Sequence, residues 1–398
     1  MKILFVGAYL PYPLNSGGRI RSYHLLRELA ASHEVHLLTF SHEEQPELAP
    51  LREMCRSVKT VPAPVRPNGA AHRLLRLLRS PEDIVMGRNS CEMERELRNY
   101  LDRETWDLLV LDDMGTEKYL REAGQIPVLL SKHNSEWQLL RRYIQHKARR
   151  PWAWVLAWLE AFATRRSEAR IVSLADRVIV VSDADRQVLL EIAPKTQVDV
   201  VSNGVNTTYF SPVSAKGDNH LLFTGALFWY PNVDAVSWFC ESIWPLIRRD
   251  VPDALFDLVG SKPPGTVLAL GKLPGVHVIP DVPDVRLYLA RSAVYVVPLR
   301  VGSGTRLKIL EALAFGKAVV TTSIGVEGLG LTVGEDVVVA DDPVSFATAC
   351  VDVLQDSAKR ASLGRAGRAV AEVRYDWSVA LAGLNRICAE VGEGAGQR

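Results

Sequence analysis

The feature that most constrains this chain is a pair of short apolar runs, Val294 to Val297 and Ala318 to Val320, joined by a glycine turn and a helical pattern. Gly302-Ser303-Gly304-Thr305 forms the turn, and Leu307, Leu310 and Ala314 then recur at helical spacing until Gly316 stops the helix. A second small-residue loop closes at Gly325. Strand, glycine turn, helix, strand is a βαβ unit, which commits this stretch to a parallel sheet. Its helix begins at the end of a strand, where unpaired backbone N–H groups and the helix dipole favour an anion. Arg306 and Lys308 add charge at the same end, and a diphosphate fits such a place. Glu311 lies about one and a half turns further on, on a face that looks back at the loop. A carboxylate there accepts hydrogen bonds from both hydroxyls of a ribose; a lone helix Glu is otherwise solvated.

With these residues in place, the stretch resembles the nucleotide-sugar site of the retaining glycosyltransferases of the GT-B fold, the large bacterial family that includes polysaccharide mannosyl- and glucosyltransferases. Glu311-Ala312-Leu313-Ala314 and Gly316-Lys317-Ala318-Val319-Val320 match the family pattern. The family's first Glu, eight positions before the second, is Ser303 here, a departure that bears on sugar recognition more than on membership. The resemblance implies an α/β chain of GT-B architecture, two Rossmann-like domains facing an interdomain cleft.

Length agrees with two domains. A chain of 398 residues exceeds one ordinary core, and units of roughly 150 to 200 residues are expected. Hydrophobic residues at 47% and charged residues at 23% are the balance of a globular protein, and a formal net charge of +1 gives no basis for nucleic acid as a partner. The five cysteines are scattered and odd in number, without CxxC spacing, so they read as reduced thiols of a cytoplasmic chain and not as a disulfide frame or zinc site. Ile3 to Leu10 is short and lacks a cleavage site, so it reads as a buried strand and not a signal peptide. No stretch reaches the roughly 20 apolar residues that span a bilayer. A soluble chain follows, peripheral to the inner face of the membrane at most.

Along the first half, Lys2 to Gly7 opens a parallel sheet. Asn15-Ser16-Gly17-Gly18-Arg19 reads as a loop, followed by a helix from Ile20 to Ala31 and a strand from Glu34 to Phe40. This lacks the GxGxxG fingerprint and points to no NAD. Residues 41 to 105, broken by Pro62, Pro64 and Pro67, read as helices and loops outside the sheet. Asp107 to Leu111 and Ile126 to Ser131 are further strands. Asp112-Asp113 reads as a helix cap or solvated turn in preference to a metal site. His133, in Lys132-His133-Asn134, stands where open α/β sheets bind ligands. Arg149 to Trp158 combines bases with tryptophans; Trp154 and Trp158 at i, i+4 read as packing against the sheet, with a membrane interface or lipid-linked acceptor as the other reading. Arg177 to Ser182 is a strand with a helix from Asp183, and Val198 to Val201 is the next strand.

Asn203-Gly204-Val205-Asn206, with Phe210 and Pro212 beyond, resembles the family's signature at the crossing into the second domain. The expected division is an N-terminal acceptor-side domain over 1–205, a linker over 206–219, a nucleotide-sugar domain over 220–375 and a C-terminal helix over 376–398 that packs back on the first domain. The second half repeats the grammar: strands at Leu221 to Thr224, Leu255 to Val259, Val276 to Ile279 and Val337 to Val339, with Asn232 opening a helix. In relatives the turn after the first of these strands carries a basic pair. Ala226 to Asn232 has none, which leaves Arg306 and Lys308 as substitutes. In relatives the nucleobase is held near Asp284, which reads equally as a helix N-cap; Glu327 reads as a cap or a sugar contact.

The resemblance implies the site as follows. Ser303, Gly304, Thr305 and Leu307 line the diphosphate turn, Gly225 faces it, Glu311 takes the ribose, and Gly17 and Gly18 lie near the donor. His133, Arg306 and Lys308 are the catalytic candidates. The implied activity is retaining, hexosyltransferase-like transfer from a nucleoside-diphosphate sugar to a saccharide, lipid-linked or small-molecule acceptor in cell-surface or exopolysaccharide synthesis. It calls for no metal and no cofactor beyond the donor substrate. A sugar-nucleotide epimerase of the same fold and a non-catalytic nucleotide-sugar scaffold remain as alternatives.

Overall fold

The computed structural model describes residues 1–64, 90–113, 115–147, 151–213 and 219–395. Arg149, Arg150, Pro67 and positions 214–218 of the expected linker lie outside the described residues. The chain forms two compact units, one of Met1–Ser202 with Leu381–Arg398 and one of Asn203–Ala380. The chain thus passes between them at 202/203 and 380/381, a few residues from the 205/206 and 375/376 read from sequence.

The first unit is a seven-stranded parallel sheet: β1 (Lys2–Gly7), β2 (Glu34–Ser41), β3 (Ser57–Pro62), β4 (Leu108–Asp112), β5 (Val128–Ser131), β6 (Arg177–Val180) and β7 (Val198–Val200), in the order β3-β2-β1-β4-β5-β6-β7. β1, β4 and β5 are continuous apolar runs because helices cover both faces of a parallel sheet, and nearly all their side chains are buried. β3 was not legible as a strand. Only Val61 of its six side chains is fully buried, since it is an edge strand with one neighbour. The glycine pair is also placed differently: Gly17 and Gly18 form the first turn of the helix Gly17–Ala30, with Ser16 at its N-cap, and are not a loop. A Cβ on Gly18 would come 2.1 Å from the Tyr9 hydroxyl, so glycine there makes room for a tyrosine.

The second unit is a six-stranded parallel sheet: β8 (His220–Ala226), β9 (Leu255–Ser261), β10 (Val276–Pro280), β11 (Val294–Val297), β12 (Ala318–Thr321) and β13 (Val338–Val339), ordered β10-β9-β8-β11-β12-β13. Its core centres on packed rings, with Phe239 and Phe256 centroids 4.4 Å apart and Trp244 and Phe346 against them. The helix after β8 spans Tyr230–Trp238, starting earlier than Asn232 because Pro231 suits a first turn. The signature at 203–207 is pinned to 375–377: Val205 N–H donates to Tyr375 O at 2.6 Å, and Asp376 accepts the Thr207 hydroxyl at 2.6 Å. A Cβ on Gly204 would strike the Trp377 ring at 2.7 Å.

In both sheets the order reverses beside the first strand, between β1 and β4 and between β8 and β11. Open α/β sheets bind ligands beyond the carboxyl ends of strands at such switch points. Among the described residues no helix is long and apolar enough to cross a membrane, and none of the five cysteines is in a disulfide.

Candidate active site

In the second unit, β11 is wholly buried and ends in a loop that leads into the helix Leu307–Ala314. Gly304 turns that loop with φ +70, a conformation that favours glycine. Arg306, at the helix N-cap and 9% exposed, folds back on the loop: its guanidinium donates to Ser303 O at 2.6 Å, to Gly304 O, and to Ile324 O at 3.3 Å. A Cβ on Gly302 would meet this guanidinium at 2.4 Å. The Asn203 amide donates to Thr305 Oγ1 at 2.8 Å, and Arg300 forks onto Asp234 at 3.0 and 3.1 Å. The loop is therefore held in shape by its own polar groups.

Lys308 reaches across the switch point. Its ammonium donates to Asn232 Oδ1 at 2.9 Å and lies 3.9 Å from the Phe223 ring centroid. Gly225 has φ +150, and a Cβ there would come 2.6 Å from Lys308 Nζ. The turn that lacks its own base thus receives one from the next helix. Glu311 stands one turn after Lys308 on the same helix face, half-buried. Burial lowers Lys308 to about 7, aided by Arg306 and opposed by Glu311; burial raises Glu311 to about 7, opposed by Lys308. Leu307 is buried and anchors the helix start. Glu327 ends the short helix Ser323–Val326, whose N-cap is Thr322, so it caps no helix start. Asp284 accepts from the Arg286 backbone N–H at 2.9 Å and pairs with its side chain at 2.7 Å, one position before the N-cap, Val285.

In the first unit, parallel register aligns Gly7 with Asp112 and Asp112 with Ser131, so three strand ends meet. His133 lies there, 7% exposed, with Nε2 3.0 Å from Asp112 Oδ1 and Nδ1 2.9 Å from the Tyr9 hydroxyl. Tyr9 donates to Asp113 Oδ2 at 2.8 Å, and Ser22 donates to Asp112. Arg21, buried beneath, donates to Ser202 O at 3.3 Å. Burial opposes the His133 charge, but Asp113 and Asp112 outweigh it and its pKa is raised. Burial also opposes ionisation of Asp112, yet His133, Ser22 and Ser131 hold it below the usual carboxylate range. The acids at 112 and 113 are thus neither a helix cap nor a solvated turn. Asp112 is fully buried, and the carboxylates of both hold the histidine. Asp113 has φ +66, a strained value for a residue with a Cβ. Beside it, Lys132 pairs with Glu117 at 2.5 Å and Glu168 at 3.3 Å, and burial pushes the neighbouring Glu136 up to about 8.

Trp154 does not pack on the sheet. It is 48% exposed on the helix Pro151–Val172, its ring 5.8 Å from that of Trp158, which meets Trp137 on the helix Glu136–Lys147.

The family model described as Glycosyltransferase Family 4 matches residues 16–209, and that described as Glycosyl transferases group 1 matches residues 218–356. The chain belongs to the glycosyltransferases. A relative from Klebsiella pneumoniae, described as an uncharacterized 44.6 kDa protein in the cps region, is 24% identical over 367 residues, 87% of this chain and 89% of its own. Among solved structures, sucrose-phosphate synthase from Thermosynechococcus elongatus superposes with a TM-score of 0.75 at 17% identity, covering 99% of this chain and all of that one. Anabaena HepE, in complex with UDP and glucose, gives a TM-score of 0.68 at 14% identity, covering 98% and 99%. At such identities the likeness establishes the fold, which is GT-B.

Proposed function

We propose that this glycosyltransferase takes a nucleoside-diphosphate sugar as donor and transfers a hexosyl group, with retention of configuration, to a saccharide or lipid-linked acceptor of a surface polysaccharide. The observation that carries the donor reading is Lys308, drawn over the β8/β11 switch point by Asn232 and Gly225 with Glu311 on the same helix face. Lys308 and the helix N–H groups would meet the diphosphate and Glu311 the ribose. Arg306 would keep the loop in place and add positive potential behind it. Negative charge develops on the leaving diphosphate, so preorganised donors there lower the barrier. The fit of HepE to UDP and glucose supports a nucleotide-sugar donor, and the relative from a cps region supports a polysaccharide product.

His133 would act on the acceptor side, so His133→Ala is expected to lower turnover more than donor affinity. The donor reading is tested by thermal-shift and calorimetric titration with UDP-, GDP- and ADP-sugars. One nucleotide class should stabilise the chain, and Glu311→Ala should weaken it by ~1.5–3 kcal/mol, ten- to a hundredfold or more. An unchanged affinity would remove Glu311 from the ribose. The non-catalytic reading is favoured by one observation, a buried serine at 303 in place of the family's first Glu. Hydrolysis of the donor without acceptor would reject it.

A peripheral seat at the membrane belongs to the same reading. Val155, Leu159 and Phe162 are 51%, 53% and 60% exposed at helical spacing, with Trp154 beside them. Among the described side chains, every exposed charged residue of this helix and of Glu136–Lys147 is an arginine. An apolar stripe with exposed arginines on the same pair of helices matches an anionic lipid surface.

A further inference from the structure

The hydrogen bonds around His133 fix the proton count on its ring. The Tyr9 phenol has one proton, burial and the nearby acids keep it there, and it goes to Asp113 Oδ2 at 2.8 Å. The Tyr9 oxygen can then only accept at its 2.9 Å contact with His133 Nδ1, so Nδ1 carries a hydrogen. Nε2 faces Asp112 Oδ1 at 3.0 Å, and that carboxylate already takes the Ser22 hydroxyl on its other oxygen. It too is an acceptor, so Nε2 also carries a hydrogen.

We propose that Tyr9 and Asp113 are positioning residues that hold His133 as a doubly protonated imidazolium, so that it serves the transfer reaction as a fixed cation and not as a proton acceptor. The proposal rests on the reading that places His133 at the reaction centre. The charges agree with it. Asp112 and Asp113 at the end of β4 face His133 after β5 and Arg21 on the helix Gly17–Ala30, with Asp185 also acting on Arg21. A neutral ring would leave three carboxylates against one guanidinium in this cluster; the protonated ring makes it three against two. Tyr9 reaches this position only because Gly18 has no Cβ, which gives the glycine pair a role in the lock. The left-handed backbone at Asp113 turns a carboxylate toward the ring at the point where strand geometry would end.

The test is a pH titration of His133 in the full-length chain, with ring-labelled histidines and the His133→Gln spectrum for assignment. Both ring nitrogens should be protonated at neutral pH, with a midpoint above that of the exposed histidines. Tyr9→Phe and Asp113→Asn should each move it down, Asp113→Asn further. Should Asp113→Asn fail to fold, Tyr9→Phe answers the question alone. A native His133 that titrates with the exposed histidines, or that neither substitution moves, overturns the lock. Turnover of the donor found in the nucleotide screen should fall at alkaline pH along the same titration. A high midpoint with turnover indifferent to it would remove His133 from the reaction centre while leaving the lock intact.

Discussion

At the residue scale, Lys308 and Glu311 set the expected pH behaviour of donor binding. Free Lys308 is lowered to about 7, so it is largely neutral by pH 8, and a diphosphate that binds its charged form must draw a proton with it. The sign follows: affinity should fall as pH rises above about 7, by up to tenfold per unit, until the bound-state pKa is reached. Glu311 works in the other direction, since ionising to accept ribose hydroxyls releases a proton from a group raised to about 7. Glu311→Gln removes that release. Calorimetry of the nucleotide in two buffers of different ionisation enthalpy should therefore show proton uptake near pH 8 in Glu311→Gln and none in Lys308→Met. Uptake that survives in Lys308→Met would place the titrating group elsewhere. The motif around 302–311 was legible because glycines, bases and Glu311 are adjacent in sequence. Phe223, Asn232 and Asn203 were not legible as its partners. They come from other strands and turns: the parallel register of β8 and β11 brings Phe223 and Asn232 there, and Asn203 arrives from the segment after β7. The same holds for Tyr9, Asp112 and Asp113 around His133. Three strand ends had to be aligned before two adjacent acids could be read as a histidine clamp.

At the element scale, buried parallel strands announced themselves as apolar runs, while the elements with mixed environments did not. β1 and β11 were legible to the residue, and β3 was missed because an edge strand with exposed Lys59 has no clear period. The helix Pro151–Val172 shows the same difficulty, since its tryptophans could face a core or a surface. Its exposed stripe now makes a quantitative expectation. Each arginine near an anionic surface contributes about 1 kcal/mol, and each inserted apolar side chain adds at roughly 25 cal/mol per Å². The chain should sediment with vesicles containing phosphatidylglycerol and not with pure phosphatidylcholine. Leu159→Ser with Phe162→Ser should reduce that binding at least tenfold while leaving thermal stability near native, because both side chains are already exposed. No binding to either kind of vesicle would end the membrane reading, and equal binding to both would end the role given to the arginines.

At the scale of the whole molecule, the two sheets have separate cores, and the chain does not divide between them at a single point. The helix Leu384–Ala395 belongs to the first unit: Asn385 donates to Glu28 at 3.2 Å, and Glu390 pairs with Arg177 at 3.0 Å. Those polar contacts are partly exposed and contribute little. The weight lies with Leu381, Leu384, Ile387, Cys388 and Val391, all buried. At ~1.5–3 kcal/mol for each large apolar side chain, their loss is of the order of a domain's entire net stability. Truncation after Ala380 should therefore unfold the first unit, although every residue of its sheet is retained. The second unit, Asn203–Ala380, loses nothing of its own core and keeps Lys308, Glu311, Asn232 and the 302–306 turn. Hydrogen exchange on the truncated chain should accordingly show β1, β4 and β5 unprotected and β8, β11 and the helix Leu307–Ala314 still protected, with nucleotide further slowing exchange only in the latter. Loss of protection in both sheets at once would mean that the two cores fold as one cooperative body, and that the donor half-site depends on more than its own residues.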